Sequence, residues 1–143
     1  MPQTLSEIRA MLEAHGLSPR KRFGQNFLID DHQVQKIIAA AGVGPGDTVL
    51  EVGPGTGILT EALLATGAHV VAVELDRGLC HLLRERLEAP IASGQLKLIE
   101  GDALAGKHAL NPEVVAALGD RRFCVVANLP YNAASPLLIQ LCT

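Results

Sequence analysis

A glycine-rich loop between an apolar strand and an apolar helix is the feature that most restricts how this chain can fold. The strand signal is the run Thr48–Val52, and the loop Gly53-Pro54-Gly55-Thr56-Gly57 separates it from the apolar segment 58–65. Glycines at such a junction let the backbone turn sharply and approach a ligand with no side chain in between. The loop therefore predicts an α/β unit with a ligand at the carboxyl end of the strand.

The spacing of the three glycines restricts the kind of ligand. A dinucleotide-binding loop has the pattern G-x-G-x-x-G, whereas here Gly57 is at the fifth position and Ile58 at the sixth. No lysine follows the loop, as a phosphate-binding P-loop would require. The pattern favours a nucleoside-bearing ligand without phosphates, although a tight turn without any ligand remains an alternative at this point.

Apolar strand signals alternate with helix signals through the rest of the chain. Strands are predicted at 48–52, 69–74, 96–100 and 123–127, and helices at 5–12, 30–42, 58–65, 79–87, from 112 onward and at 137–142. Because the strands are nearly continuous apolar runs, the sheet should be parallel and covered on both faces. The predicted fold class is therefore α/β, with a doubly wound and mostly parallel sheet.

The domain organisation follows from the same pattern. Residues 1–46 are expected to form an N-terminal helical extension, and residues 47–143 the N-terminal part of a larger, truncated domain. The last predicted helix, 137–142, has no capping signal at its end, so we expect the chain to be a fragment. The fourth strand would then expose an edge that a missing strand should cover.

Composition excludes several classes of protein. Hydrophobic residues make up 48% of the 143 residues, which excludes a disordered chain, and no apolar run approaches the ~20 residues of a membrane-spanning helix. The cysteines Cys80, Cys124 and Cys142 are far apart and suggest neither a metal site nor a disulfide framework. We expect a cytoplasmic monomer that has no metal site and does not associate with a membrane. The net charge of −3 argues against a protein that coats nucleic acid, but not against a site-specific enzyme.

Polar residues follow the other predicted strands. Glu74 ends the second strand, Asp102 follows the third, and Asn128-Leu129-Pro130-Tyr131 follows the fourth. The carboxyl ends of parallel strands share one edge, where open α/β sheets bind ligands. The carboxylate of Glu74 could accept hydrogen bonds from ribose hydroxyls. The carboxylate of Asp102 could accept one from the exocyclic amine of an adenine. Alternatively, the two acids are ordinary surface residues, and segment 128–131 is a capped turn whose tyrosine belongs to the core.

Four motifs together resemble those of the rRNA adenine dimethyltransferase family. They are residues 21–28 (Lys-Arg-Phe-Gly-Gln-Asn-Phe-Leu), 51–57, 101–104 and 128–131. The match is closer to the small-subunit (16S) branch than to the 23S branch. The resemblance implies a Rossmann-like methyltransferase fold with S-adenosylmethionine as cofactor. It also implies dimethylation of two adjacent adenines in a 3′-terminal hairpin of small-subunit rRNA during ribosome biogenesis, with that rRNA or the pre-30S particle as partner.

The resemblance also implies roles for individual residues. The residues that it places against the cofactor are Asn26, Leu28, Gly53, Gly55, Glu74, Asp102 and Asn128. Leu129, Pro130 and Tyr131 would contact the target adenine. Asn128 and Tyr131 would be catalytic, because the amide oxygen accepts a hydrogen bond from the target amine and the ring stacks on the flipped base.

Two other functions stay open at this stage. One is 23S rRNA adenine methylation, and the other is a non-catalytic RNA-binding or ribosome assembly role on the same fold. Leu129, where other methyltransferases of this fold often carry proline, favours the rRNA enzymes over those that act on proteins or small molecules.

Overall fold

The computed structural model describes residues 31–103, 111–127 and 137–141, which contain five strands and five helices. The strands are β1 (Thr48–Val52), β2 (His69–Glu74), β3 (Leu96–Glu100), β4 (Phe123–Ala127) and β5 (Leu137–Leu141). The helices are α1 (Asp31–Ala41), α2 (Ile58–Ala65), α3 (Arg77–Arg86), α4 (Glu88–Ser93) and α5 (Pro112–Leu118). The predicted bounds of β1 to β4 and of α2 are confirmed.

All five strands form one sheet in the order β3-β2-β1-β4-β5. The first four are parallel, and Val52 at the end of β1 has Val73 and Ala127 as its partners on either side. Glu74 at the end of β2 pairs with Glu100 at the end of β3. The carboxyl ends of the four parallel strands therefore lie along one edge.

Helices cover both faces of the sheet, as the continuous apolar strands predicted. One core contains sheet residues such as Val49 and Val70 and side chains of α1, α2 and α3. The other contains Leu50, Val71 and Ile99 packed against residues of α5. Helix α1 contributes to the first core, and the expected division of the chain after residue 46 stays a prediction.

The helix predicted over 79–87 is followed directly by a second, short helix. Leu79, Leu82, Leu83 and Leu87 are buried along one side, as predicted, but α3 ends at Arg86 and α4 begins at Glu88. Pro90 explains the interruption. A proline ring collides with the carbonyl four residues earlier in a continuous helix and removes one hydrogen-bond donor, so α3 cannot run through position 90. At the start of α4 the missing donor costs nothing.

The end of the chain differs from its prediction. The segment 137–142 was expected to be helical, but 137–141 forms β5, which pairs antiparallel with β4 from Ala127↔Leu137 to Phe123↔Leu141. A five-residue apolar run fits a helix or a strand equally well. The unpaired backbone groups along β4 favour the strand. The expected exposed edge of β4 is therefore also wrong, because β5 covers it.

The helix predicted at 5–12 lies outside the described residues. Among the helices that are described, none has the length and apolar character needed to cross a membrane.

Candidate functional site

The strand order creates a crevice at the carboxyl edge of the sheet. From β1 the chain continues to β2 and β3 on one side, whereas β4 pairs with β1 on the other side. Open α/β sheets bind ligands where the strand order reverses in this way. Here that point lies between the ends of β1 and β4, at the register pair Val52↔Ala127.

The glycine loop leaves β1 at this point. The amide of Gly53 donates to Val73 O at 2.9 Å, and the amide of Gly57 donates to Pro54 O at 3.0 Å. Gly55 and Gly57 have φ values of 61° and 89°, in the left-handed region that other residues avoid. The loop is therefore a fixed turn that exposes backbone rather than side chains, as its sequence predicted.

Glu74 is tied to this loop. Its side chain is buried, Oε1 accepts the Gly55 amide at 3.2 Å, and Oε2 accepts the Asp76 amide at 2.9 Å. Burial raises the pKa of Glu74, and these two amides partly offset the increase. Each carboxylate oxygen has capacity for a second donor. The structure thus brings together the acid and the loop that the sequence paired.

Asp102 lies at the same edge and is exposed. The preceding amide, of Gly101, donates to Glu74 O at 2.9 Å, which continues the ladder beyond β3. The carbonyl of Asp102 accepts Nδ2 of Asn111 at 2.8 Å, and Asn111 also caps α5. The backbone on both sides of Asp102 is therefore anchored, and the residue itself is exposed.

Glu51 received no role of its own from sequence reasoning. Its Oε1 accepts the Thr60 hydroxyl at 2.5 Å, and its buried Oε2 has no hydrogen-bond partner among the described residues. Burial raises the pKa of Glu51 to about 7, with a smaller contribution from the Glu74 charge and an opposing one from Thr60. The signal that could have revealed it is an acid inside an otherwise apolar strand.

Leu75 is a second residue that sequence reasoning missed. It follows Glu74 directly, and 67% of its surface is exposed. The sequence signal for it is a leucine placed directly after the acid that ends a strand. It gives the edge beside Glu74 an apolar surface.

Six of the predicted site residues lie outside the described residues. They are Asn26, Leu28, Asn128, Leu129, Pro130 and Tyr131. Their roles stay predictions. Within the part of the chain that is described, no three His, Cys, Asp or Glu side chains cluster as metal ligands would.

Sequence comparisons find one family and many relatives. The family model for "Ribosomal RNA adenine dimethylase" matches residues 16–143. The chain is 48% identical to ribosomal RNA small subunit methyltransferase A of Phenylobacterium zucineum over 141 residues, or 99% of this chain and 46% of that protein. It is 46% identical to the protein of the same name from Leifsonia xyli over 138 residues, 95% of this chain and 46% of that protein. The chain thus spans about half the length of the curated relatives it matches.

Structural comparison gives methyltransferases as well. The crystal structure of the 23S rRNA methyltransferase ErmE matches 73% of this chain and 48% of its own, with a TM-score of 0.51 and 26% identity. A dimethyladenosine transferase from Plasmodium falciparum matches 72% of this chain and 43% of its own, with a TM-score of 0.50 and 25% identity. The predicted Rossmann-like methyltransferase fold is thereby confirmed.

Proposed function

Because the chain belongs to the ribosomal RNA adenine dimethylase family, as its four motifs predicted, we propose that it forms the cofactor-binding part of an S-adenosylmethionine-dependent rRNA adenine methyltransferase. The observation that carries the proposal is the hydrogen bond from the Gly55 amide to Glu74 Oε1, at 3.2 Å. It joins the glycine loop to a buried acid at the edge where α/β sheets bind ligands.

The described residues fit a nucleoside cofactor that carries positive charge. The loop offers backbone without side chains, and the edge holds the buried acids Glu51 and Glu74, whose carboxylate forms a nearby cation would favour. S-adenosylmethionine, when bound, would supply a methyl group on a positively charged sulfur.

Each described residue has a role in this proposal. Gly53 and Gly55 allow the close approach of the cofactor to the backbone. Glu74 accepts hydrogen bonds from ribose hydroxyls with its remaining lone pairs, and Asp102 accepts a hydrogen bond from the adenine amine. Leu75 presents apolar surface to the adenine ring. Of the residues outside the described ranges, Asn26 and Leu28 are assigned to the methionine end.

The target step is assigned to the segment that follows β4 in the sequence. The amide oxygen of Asn128 accepts a hydrogen bond from the adenine amine, and this bond turns the lone pair of the amine nitrogen toward the methyl group. Tyr131 stacks on the flipped base, and Leu129 and Pro130 complete the contact. Because the methyl donor already carries positive charge, positioning and polar contacts are the protein's main contribution.

The substrate we propose is small-subunit rRNA, with two adjacent adenines of a 3′-terminal hairpin as targets, free or within the pre-30S particle. The small-subunit name of the curated relatives supports this choice. We propose further that the enzyme is a cytoplasmic monomer. We also propose that residues beyond this chain, in the whole protein, supply the rest of the RNA surface.

The proposal is tested by methylation of two RNA hairpins by the whole protein. We expect dimethyladenine in a small-subunit 3′ hairpin and little in a 23S hairpin, and a much lower rate for the 143-residue chain alone. Product only in the 23S hairpin would favour the alternative branch. Hairpin binding without methyl transfer would favour a non-catalytic assembly factor.

A further inference from the structure

Arg86 reaches from the end of α3 to the glycine loop, 30 residues earlier in the chain. Its Nε donates to Thr56 O at 3.2 Å. Its Nη2 forms an ion pair with Oε1 of Glu61, an acid in the first turn of α2. Only 20% of the Arg86 side chain and 19% of the Glu61 side chain are exposed. The guanidinium therefore bridges the loop and the helix that follows it.

The position of this contact within the loop is informative. Thr56 O and the Gly57 amide belong to the same peptide plane, and the Gly57 amide donates to Pro54 O at 3.0 Å. With Arg86 on its carbonyl side, the plane is held at both ends. The preceding part of the loop is held separately, by the bond from Gly55 to Glu74.

The same helix also supports the loop by packing. A Cβ at position 57 would lie 3.0 Å from Leu83 Cδ2 and 3.3 Å from Leu87 Cδ1. The loop therefore rests directly against the end of α3, one side on leucine side chains and one carbonyl on Arg86. A substitution that removes the guanidinium of Arg86 would therefore change a direct contact with the loop and would leave the sheet contacts in place.

We infer that Arg86 is a positioning residue for the cofactor site: it fixes the peptide between Thr56 and Gly57 and so keeps the glycine loop in the shape that admits the cofactor. The inference rests on the proposed function. Arg86 needs no contact with the cofactor for this role. Its ion pair with Glu61 neutralises a positive charge that would otherwise oppose a cationic ligand.

Two substitutions of Arg86 separate positioning from general stabilisation. Arg86→Met keeps an apolar stem and removes the whole guanidinium. Arg86→Lys keeps a positive charge for Glu61 but has no Nε–H where Arg86 reaches Thr56 O, since lysine lacks the planar fork. The matched control is Arg84→Met, because Arg84 lies on the same helix, is half exposed and faces Glu100 at 3.6 Å instead of the loop.

The cofactor readout uses the whole protein. We expect both Arg86 variants to raise the Kd and the KM for S-adenosylmethionine about tenfold, as for loss of a hydrogen bond to a charged donor, with kcat changed far less. Arg84→Met should change none of these. Cofactor affinity within twofold of the wild type in Arg86→Lys, with a normal melting temperature, would overturn the inference.

Hydrogen exchange of the loop amides without cofactor keeps the test independent of the proposed function. We expect faster exchange at residues 55–57 in Arg86→Lys than in the wild type or in Arg84→Met. If the wild type fails to bind S-adenosylmethionine, the proposed function is wrong. Unchanged exchange at residues 55–57 in Arg86→Lys would separately show that Arg86 does not hold the loop. If Arg86→Met does not fold, Arg86→Lys alone decides between the outcomes.

Discussion

The backbone amide of Gly55 donates to Oε1 of Glu74 at 3.2 Å, so the loop after β1 is joined to the last residue of β2. The second carboxylate oxygen is bonded to the Asp76 amide, at the N-terminus of α3. One buried acid thus holds two backbone turns that both face the proposed cofactor site. Substitutions at Glu74 should therefore affect ligand binding more than a surface acid would.

We expect Glu74→Gln to weaken S-adenosylmethionine binding by about tenfold or more, because a neutral amide would replace the carboxylate that we propose as the acceptor of the ribose hydroxyls. The matched control is Glu100→Gln, since Glu100 is the register partner of Glu74 on β3 and is exposed. Calorimetry of both variants checks the prediction. Equal affinity for the two would remove Glu74 from the ribose site.

A second prediction concerns the packing of the glycine loop. We expect Gly57→Ala to lower the free energy of unfolding by about 1–3 kcal/mol more than Gly94→Ala. Both glycines have nearly the same φ, 89° and 87°, so the backbone cost of about 1–2 kcal/mol should be common to both. Only at position 57 would the new Cβ meet buried leucines, whereas position 94 has nothing within 4 Å.

Urea unfolding of the two glycine variants against the wild type measures this difference. Equal losses of stability in the two variants would mean that α3 adjusts to a side chain at position 57. The loop would then be less firmly seated on the helix than the distances indicate.

A third prediction concerns the pH dependence of stability. Burial raises the pKa of Glu51 from 4.5 to about 7. Below pH 4.5 the group is protonated in both the folded and the unfolded chain. Between pH 4.5 and 7 only the folded chain keeps the proton, so the free energy of unfolding falls as pH rises, by up to about 3 kcal/mol. Above pH 7 the loss is complete.

Glu51→Gln removes this contribution, because glutamine does not titrate. We expect the stability of the wild type to fall relative to that of Glu51→Gln between pH 5 and 8, as measured by urea unfolding at each pH. The raised pKa of Glu74 acts in the same direction and cancels in large part in the difference, because the Glu74 charge makes only a smaller contribution to the pKa of Glu51. A constant difference across this range would show that Glu51 is ionised throughout.

Local signals explain why so much of the fold was predictable from the sequence. The strands β1 to β4 are apolar runs bounded by turn residues, and the cap of α5 by Asn111 needs only its own neighbours. Segment 137–141 forms a strand rather than a helix because it pairs with the open edge of β4. A five-residue apolar run contains no signal for that tertiary contact. The contact of Arg86 with Thr56 spans 30 residues, beyond any local pattern. The buried contact of Glu51 with Thr60 of α2 likewise forms only in the folded chain.

The last prediction concerns the target step, for which Tyr131 is the proposed stacking residue. It is the one tyrosine in a chain without tryptophan and with three phenylalanines. The target adenine must leave its stack to reach the methyl donor, which costs a few kcal/mol. Stacking on an aromatic ring returns about 1–3 kcal/mol and fixes the plane of the base.

We expect Tyr131→Ala in the whole protein to abolish most methyl transfer and to leave cofactor binding unchanged, because the proposed cofactor contacts are made by the glycine loop and Glu74 instead. Tyr131→Phe should keep much of the activity, since stacking needs the ring and not the hydroxyl. Single-turnover methylation of a small-subunit hairpin, run beside cofactor titration, measures both properties. If Tyr131→Ala methylates as fast as the wild type, the base is oriented by other contacts and the stacking role is wrong.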